Sequence, residues 1–452
     1  MKHIDLLVQA DYLYPMSDNL SVIKGGEVAV CDNHIVYAGP IQPEGTWNPS
    51  RIVVGKGSAL LPGFVNCHCH TSSVVFRSQT DDFTSAIALY TVAFRMEKEI
   101  TPEEWFDLSL LGCMDMLKSG VTTINDLWYS PDQLAEAVRL CGLRAIIANK
   151  VFDVKMENLY LGDYTRYPEV GDKRLKEGVE FVESWNGKAN GRILGMIGTH
   201  ASDTCDQGLH REARQEANRL GVGMHIHVAQ SRREIEYIAQ SQSGKGPAEY
   251  LADIGLLGPD VVVAHLTFAT DRDLAAMRET RACYAHCPII YPRRAVYPRL
   301  KAIRDQGITT GFGTDWMQND PFEVMRNAVN SIRLTLGDPN YMPTSEALWL
   351  HTVGAAQTLR LDKEIGSLEV GKKADMILIN LDRPHLQPFY GDYSSLVFYA
   401  KTSDIETSII DGQVVMEKGR ILGIDEDEIM NRIQRRIPGW QARVRQLSNE
   451  GL

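Results

Sequence analysis

No apolar run in this chain approaches the ~18 residues that a membrane-crossing helix needs, so no membrane span is expected. Nor does the opening stretch, MKHIDLLVQADYLYP, show a basic segment followed by a short apolar one, so no secretory leader is expected. A sustained run of Lys and Arg is missing too: 47 basic residues face 58 acidic ones, for a formal charge of −11. Nucleic-acid binding usually requires a basic footprint, so a nucleic-acid partner is not expected. The eight cysteines, at 31, 67, 69, 113, 141, 205, 283 and 287, contain no CxxC pair. In a chain this long they read as buried, reduced thiols and not as a disulfide framework. Internal repeats and low-complexity linkers are also absent. Together these absences point to a cytoplasmic globular protein.

What is present is a large core. A chain of 452 residues with 44% hydrophobic content can bury a core of two domains. The first stretch reads as short antiparallel strands punctuated by turns: IDLLVQADYLYP, GGEVAVCDNHIVYAGP and SRIVVGKGSALLPG. From about residue 60, short β-branched or apolar runs alternate with longer helical segments. Eight such runs occur: LLPGFVNCHCH, GVTTINDLW, RAIIANKVFD, RILGMIGTHAS, VGMHIHVAQ, VVVAHLTF, ACYAHCP and ITTGFGTDW. Eight repeats of strand then helix predict an α/β fold, a (β/α)8 TIM-like barrel, with functional groups at the C-terminal ends of its strands. Strand grammar returns in GSLEVGKKADMILINLD and SDIETSIIDGQVVMEKGRI, which is expected to join the N-terminal strands in one composite β-sandwich domain. The expected division is 1–58 and 363–425 for the β-domain, 59–362 for the barrel, and 426–452 for a closing amphipathic helix.

Position within these runs singles out the chemistry. Residues two apart on a strand face the same side, so His68 and His70 are expected to point one way, and Cys67 and Cys69 the other. An HxH pair alone often arises by chance. Here His227 ends the fifth run, His265 the sixth and Asp315 the eighth. Imidazoles and a carboxylate offered at matching depth by four strands suit one divalent cation. Zn²⁺ is preferred, with Fe²⁺, Mn²⁺ or Co²⁺ as alternatives. His225 lies one step deeper on its strand and reads as structural.

PGFVNCHCH, HIHVAQ, VVVAHLTF and GFGTDW resemble the metal-site motifs of the amidohydrolase superfamily. The branch resembled contains atrazine chlorohydrolase, triazine hydrolases and S-adenosylhomocysteine and guanine deaminases. EIGSLEVGKKADMILINLD and SIIDGQVVMEKGRI resemble that family's β-domain segments, and the likeness spans nearly the whole chain. The resemblance implies His68, His70, His227 and Asp315 as ligands of a single metal ion, with His265 either a ligand or a neighbour of the metal-bound water. It implies Asp315 and His265 as the acid/base groups, His200 as a substrate contact, a small-molecule substrate, and a homo-oligomer, dimer or higher.

The chain also departs from that pattern. Family deaminases carry H-x-x-E on the fifth strand, where Glu shuttles a proton; here Gln230 stands in its place. An amide donates hydrogen bonds but does not exchange a proton near neutral pH. Glu234 and Glu236, further on, are weak substitutes. HCPIIYPRR lacks the Ser-Asn usual after HCP, and Trp316 follows the metal-site Asp. Gln230, His200, Trp316 and His286 are the expected substrate-binding residues. Tyr291 and Tyr297 would complete an aromatic wall, with Arg293 and Arg294 near its mouth. The expected reaction is hydrolysis of a non-peptide C–N bond in a small amide, urea or (thio)carbamate by metal-activated water, as in phenylurea and thiocarbamate hydrolases. The alternative is deamination or dechlorination of an N-heterocycle.

Overall fold

A computed structural model describes residues 2–79 and 89–451. Parallel strands β5 (Phe64–His70), β6 (Val121–Trp128), β7 (Arg144–Val151), β8 (Ile193–Ala201), β9 (Met224–Val228), β10 (Val261–His265) and β11 (Cys283–His286) pair in sequence order. The eighth strand comes in two pieces, β12 (Thr310–Phe312) and β13 (Asp315–Trp316). The first pairs with β11 and the second with β5, both parallel, and this closes the barrel. Gly313, between the pieces, lies where an added Cβ would meet the His68 backbone oxygen at 2.7 Å. Only a glycine lets the eighth strand come this close to the first.

Helices run outside the barrel, and their ends follow the local sequence. Thr101 caps the helix Pro102–Lys118 in a reciprocal capping box with Glu104, and Asp206 caps Gln207–Leu220, which ends at the left-handed Gly221. Inside the barrel, Val65, Cys67, Leu127, Ile146, Ala148, Met196, Val262, Ala264 and Ala285 form one apolar cluster beneath the site. Strand alternation sends the intervening residues, such as Ile147, Val261, Val263 and Tyr284, to the layer between barrel and helices.

The second sheet contains β1 (Lys2–Leu13), β2 (Ile23–Cys31), β3 (His34–Pro40) and β4 (Trp47–Pro62) from the start of the chain. Its other strands, β14 (Met376–Asn380), β15 (Ile405–Ile410), β16 (Gln413–Glu417) and β17 (Arg420–Ile421), come from the end. The order is β17-β16-β15-β14-β4-β1-β2-β3, and β1 with β4 is its parallel pair. Residues from distant strands, Val28, Ile35, Leu60, Met376 and Ile409, share one core, so the sheet folds over itself. Strand β4 hands the chain to β5 across Gly63. Arg144, at the start of β7, clamps the β-domain through Asp375 (2.8 and 3.0 Å) and Asp411 (3.3 Å), all three buried. The last helix, Glu426–Gly451, binds Pro102–Lys118 through Arg436 on Asp107 and both Trp440 and Arg443 on Glu104. No helix among the described residues is long and apolar enough to cross a membrane.

Candidate active site

At the C-terminal rim of the barrel, five buried side chains meet. The His68 and His70 Nε2 atoms lie 3.5 and 3.4 Å from one oxygen of Asp315. His227 Nε2 is 3.3 Å from His70 Nε2. Ligand atoms of His68, His70 and His227, and those of His68, His265 and Asp315, fall within 4.8 Å of one another.

The neighbours set the tautomers. His227 Nδ1 is 2.6 Å from the His200 carbonyl oxygen, to which it must donate, so its Nε2 presents a lone pair to the centre. His68 Nδ1 meets His225 Nε2 at 2.8 Å. His225, read from the sequence as structural, thus orients His68 directly. Burial lowers the His70 imidazole to about 4 and His265 to about 3, and drives His227 well below the ordinary histidine range. Burial alone would raise the Asp315 carboxyl, but the surrounding imidazoles outweigh it and hold the group ionised, below its ordinary value.

Backbone geometry delivers two of these groups. With Val262 and Ala264 facing the barrel interior, regular alternation would send His265 outward. Its φ of 82° turns it to the rim, and Tyr284 and Tyr291 hydroxyls hold its carbonyl at 2.9 and 3.1 Å. Asp315 has a φ of 62°. On β5 the pairing slips between Asn66 and Cys69, which overrides simple alternation. Cys69 packs in the outer layer as expected, but Cys67 faces the barrel interior.

The pocket above these groups is lined by His70, His227, His265, Asp315, His200, Gln230, Trp316, Phe94, Trp128 and Arg294. A family model described as "Amidohydrolase family" matches residues 59–415. The chain belongs to the amidohydrolase family. Membership makes it an enzyme, a hydrolase of carbon–nitrogen bonds other than peptide bonds. A 5-methylthioadenosine/S-adenosylhomocysteine deaminase of Pelotomaculum thermopropionicum is 36% identical over 440 residues, covering 96% of this chain and 98% of the relative. A 5'-deoxyadenosine deaminase of Methanosarcina acetivorans is 33% identical, covering 94% and 96%. Among solved structures, a zinc-bound adenosine deaminase from Xanthomonas campestris superposes with a TM-score of 0.88 at 23% identity, covering 98% and 99%. A zinc complex of atrazine chlorohydrolase from Arthrobacter aurescens reaches 0.83 at 20% identity, covering 96% and 100%. These structures share the fold.

Within this amidohydrolase rim, Gln230, His200 and Trp316 line the pocket, and His286 does not. Ala285 belongs to the barrel interior, so its neighbour His286 faces the other way, with Nδ1 2.8 Å from the Tyr284 hydroxyl and Nε2 3.4 Å from that of Tyr297. The expected substrate contact is a packed imidazole, and strand alternation could have revealed it. Tyr291 and Tyr297 pack around His286 and are not among the described lining residues. Glu234 is fully buried and accepts from Ser202 Oγ (2.6 Å) and from the amides of Ala229 (2.9 Å) and Gln230 (2.7 Å). It fixes the turn that carries Gln230 and does not line the pocket. Burial pushes its carboxyl up to about 8 against the pull of those donors.

Arg294, expected near the mouth, lines the pocket, whereas Arg293 lines a different groove; sequence reasoning missed Trp128 and Phe94. Trp128 ends β6 with its ring tilted 37° against His70 at a centroid distance of 4.2 Å, a strand-end position that the same logic could have flagged. Phe94 lies off the barrel strands, where no motif marks it. Behind them Lys150 is fully buried, 3.2 Å from Glu97 and 4.0 Å from the Trp128 ring centroid. Burial lowers its ammonium to about 8.

Proposed function

We propose that His68, His70, His227 and Asp315, with His265, hold one divalent cation, zinc by preference, and that the enzyme hydrolyses a C–N bond at a carbon needing no prior ring protonation. The donor set fits such an ion. Neutral imidazoles and an ionised carboxylate are the ligand forms, and His68 Nε2, His265 Nδ1 and Asp315 Oδ2 are buried without any hydrogen-bond partner. A bound divalent cation supplies a Lewis acid that makes water ionisable near neutral pH. Asp315 takes the proton of the attacking water on its free Oδ2. His265, stacked on His227 at 5.3 Å, stabilises the negative charge that develops, and Asp315 returns the proton it took to the leaving amine. The Gln230 amide orients water or substrate by hydrogen bonding.

One observation carries this reading. Among the described lining residues Asp315 is the sole carboxyl, since Gln230 is an amide and Glu234 is tied down outside the pocket. Ureas, carbamates and carboxamides can be attacked without a second acid, which favours them as substrates. A second reading, deamination or dechlorination of an N-heterocycle, is favoured by relatives at 33–36% identity named as adenosine-type deaminases. The test is zinc-loaded protein assayed against phenylureas, thiocarbamates, chlorotriazines, 5'-deoxyadenosine and S-adenosylhomocysteine, alongside Q230E. Urea or carbamate hydrolysis by the parent, with deamination appearing only in Q230E, is expected. Efficient deamination by the parent, unchanged in Q230E, refutes the first reading in favour of the second.

A further inference from the structure

Arg294 follows the barrel's seventh strand and lines the same pocket as His265, Asp315 and Gln230. Its Nε is buried without a hydrogen-bond partner, and its guanidinium makes no ion pair among the described residues. The adjacent Arg293 lines a different groove, with Arg77 and Asp115. Asp315, the one described carboxyl in the pocket, is engaged by His68 and His70. The remaining described lining groups are neutral: buried imidazoles, the Gln230 amide, and the rings of Phe94, Trp128 and Trp316.

Arg294 is partly buried, its Nε is shut away from water without a partner, and the planar fork of a guanidinium matches a carboxylate through two parallel hydrogen bonds. The rings beside it suit a planar or apolar body. We infer that Arg294 receives a carboxylate, or a similar planar oxyanion, carried by the substrate. The substrate class is therefore an anionic, partly aromatic compound whose scissile bond lies over the metal-ligating rim. This inference rests on the reading of the pocket as the hydrolytic site, but not on which C–N bond is cut.

The test uses zinc-loaded full-length protein and two neutral-versus-anionic probes of one shape, benzamide and benzoate. Binding is followed by quenching of Trp128 and Trp316, which line the pocket. Charge-assisted hydrogen bonds predict that the parent prefers benzoate by roughly 10- to 100-fold. R294M should collapse the ratio towards one, and R294K, which keeps the charge but not the fork, should give an intermediate ratio. A ratio near one in the parent overturns the inference. So does a preference that persists in R294M, which would mean that benzoate binds through the zinc alone. The two readings fail separately. A steep, Arg294-dependent ratio in an enzyme that only deaminates heterocycles keeps this inference and sinks urea hydrolysis. A flat ratio in an enzyme that cleaves neutral ureas does the reverse.

Discussion

Replacing Gly313 by Ala tests whether the metal-ligating geometry depends on the close approach of the eighth strand to the first. The new Cβ would stand 2.7 Å from the His68 oxygen, 2.9 Å from its nitrogen and 3.0 Å from its Cβ, where ordinary contact begins at 3.4 Å. The clash is with backbone that is hydrogen-bonded into the barrel, so no flexible side chain can yield. The strands must separate by about 0.7 Å, and overpacking of this kind costs about 1–3 kcal/mol. For a chain of this length that lowers Tm by only about 1–3 °C. The site should suffer more. Metal–ligand distances tolerate about 0.2 Å, and His68 and Asp315 sit on the two strands being forced apart. Zinc affinity, measured by competition with a chromophoric chelator, should fall about 10- to 100-fold, the scale on which disturbed ligand support acts. G439A is the control, because nothing lies within 4 Å of the Cβ added there. Zinc affinity within twofold of the parent in G313A, with Tm unchanged, would refute the reasoning.

R144M leaves the buried carboxylates of Asp375 and Asp411 without their cation and should cost about 3–5 kcal/mol in urea unfolding; a loss below 1 kcal/mol would contradict the clamp between barrel and β-domain. E234Q turns one of the two accepting oxygens into an NH₂ that must face the Gln230 amide or the Ala229 amide and Ser202 hydroxyl, which should cost about 1–3 kcal/mol and lower kcat by freeing the turn that holds Gln230; unchanged stability and kcat would show the turn to be held otherwise. Acid should destabilise the fold through His210 and His351, whose burial lowers them to about 4 and 3. Between those values and the unfolded histidine pKa of about 6.5 the unfolded chain binds more protons, so stability falls as pH drops, by about 2 kcal/mol per group at pH 5. Equilibrium unfolding at pH 7 and 5, with H210Q flattening part of the slope, checks the sign and the size.

The barrel and its five rim residues were legible because strand ends are marked twice, by hydrophobic runs and by ligand-type residues that close them. What escaped the sequence depends on departures from regular alternation or on residues brought in from elsewhere. Alternation alone would exclude His265 from the rim, yet its positive φ admits it. The same alternation, followed strictly on the seventh strand, would have removed His286 from the expected substrate contacts. On β5 Val65 and Cys67 alternate inward together, and a register slip that no residue type announces turns Cys69 to the outer layer. The composite β-domain was readable as strands, but the Arg144 clamp joins residues more than 200 positions apart, and ordinary surface charges would look the same in one dimension.

The proton inventory of the pocket follows from the same packing. Burial keeps His70, His200, His227 and His265 neutral, so none arrives at the reaction carrying a proton to give. Lys150 carries the nearest buried ammonium, but Glu97 and three aromatic rings occupy it. Glu234 is tied to two backbone amides and a hydroxyl and does not line the cavity. Asp315 is then the group that must both accept the water's proton and pass it on, and a substrate that needs a second proton before attack would find no described residue in the pocket to supply it. That constraint, more than the cation itself, is the ground on which we propose urea- or carbamate-type hydrolysis ahead of ring deamination.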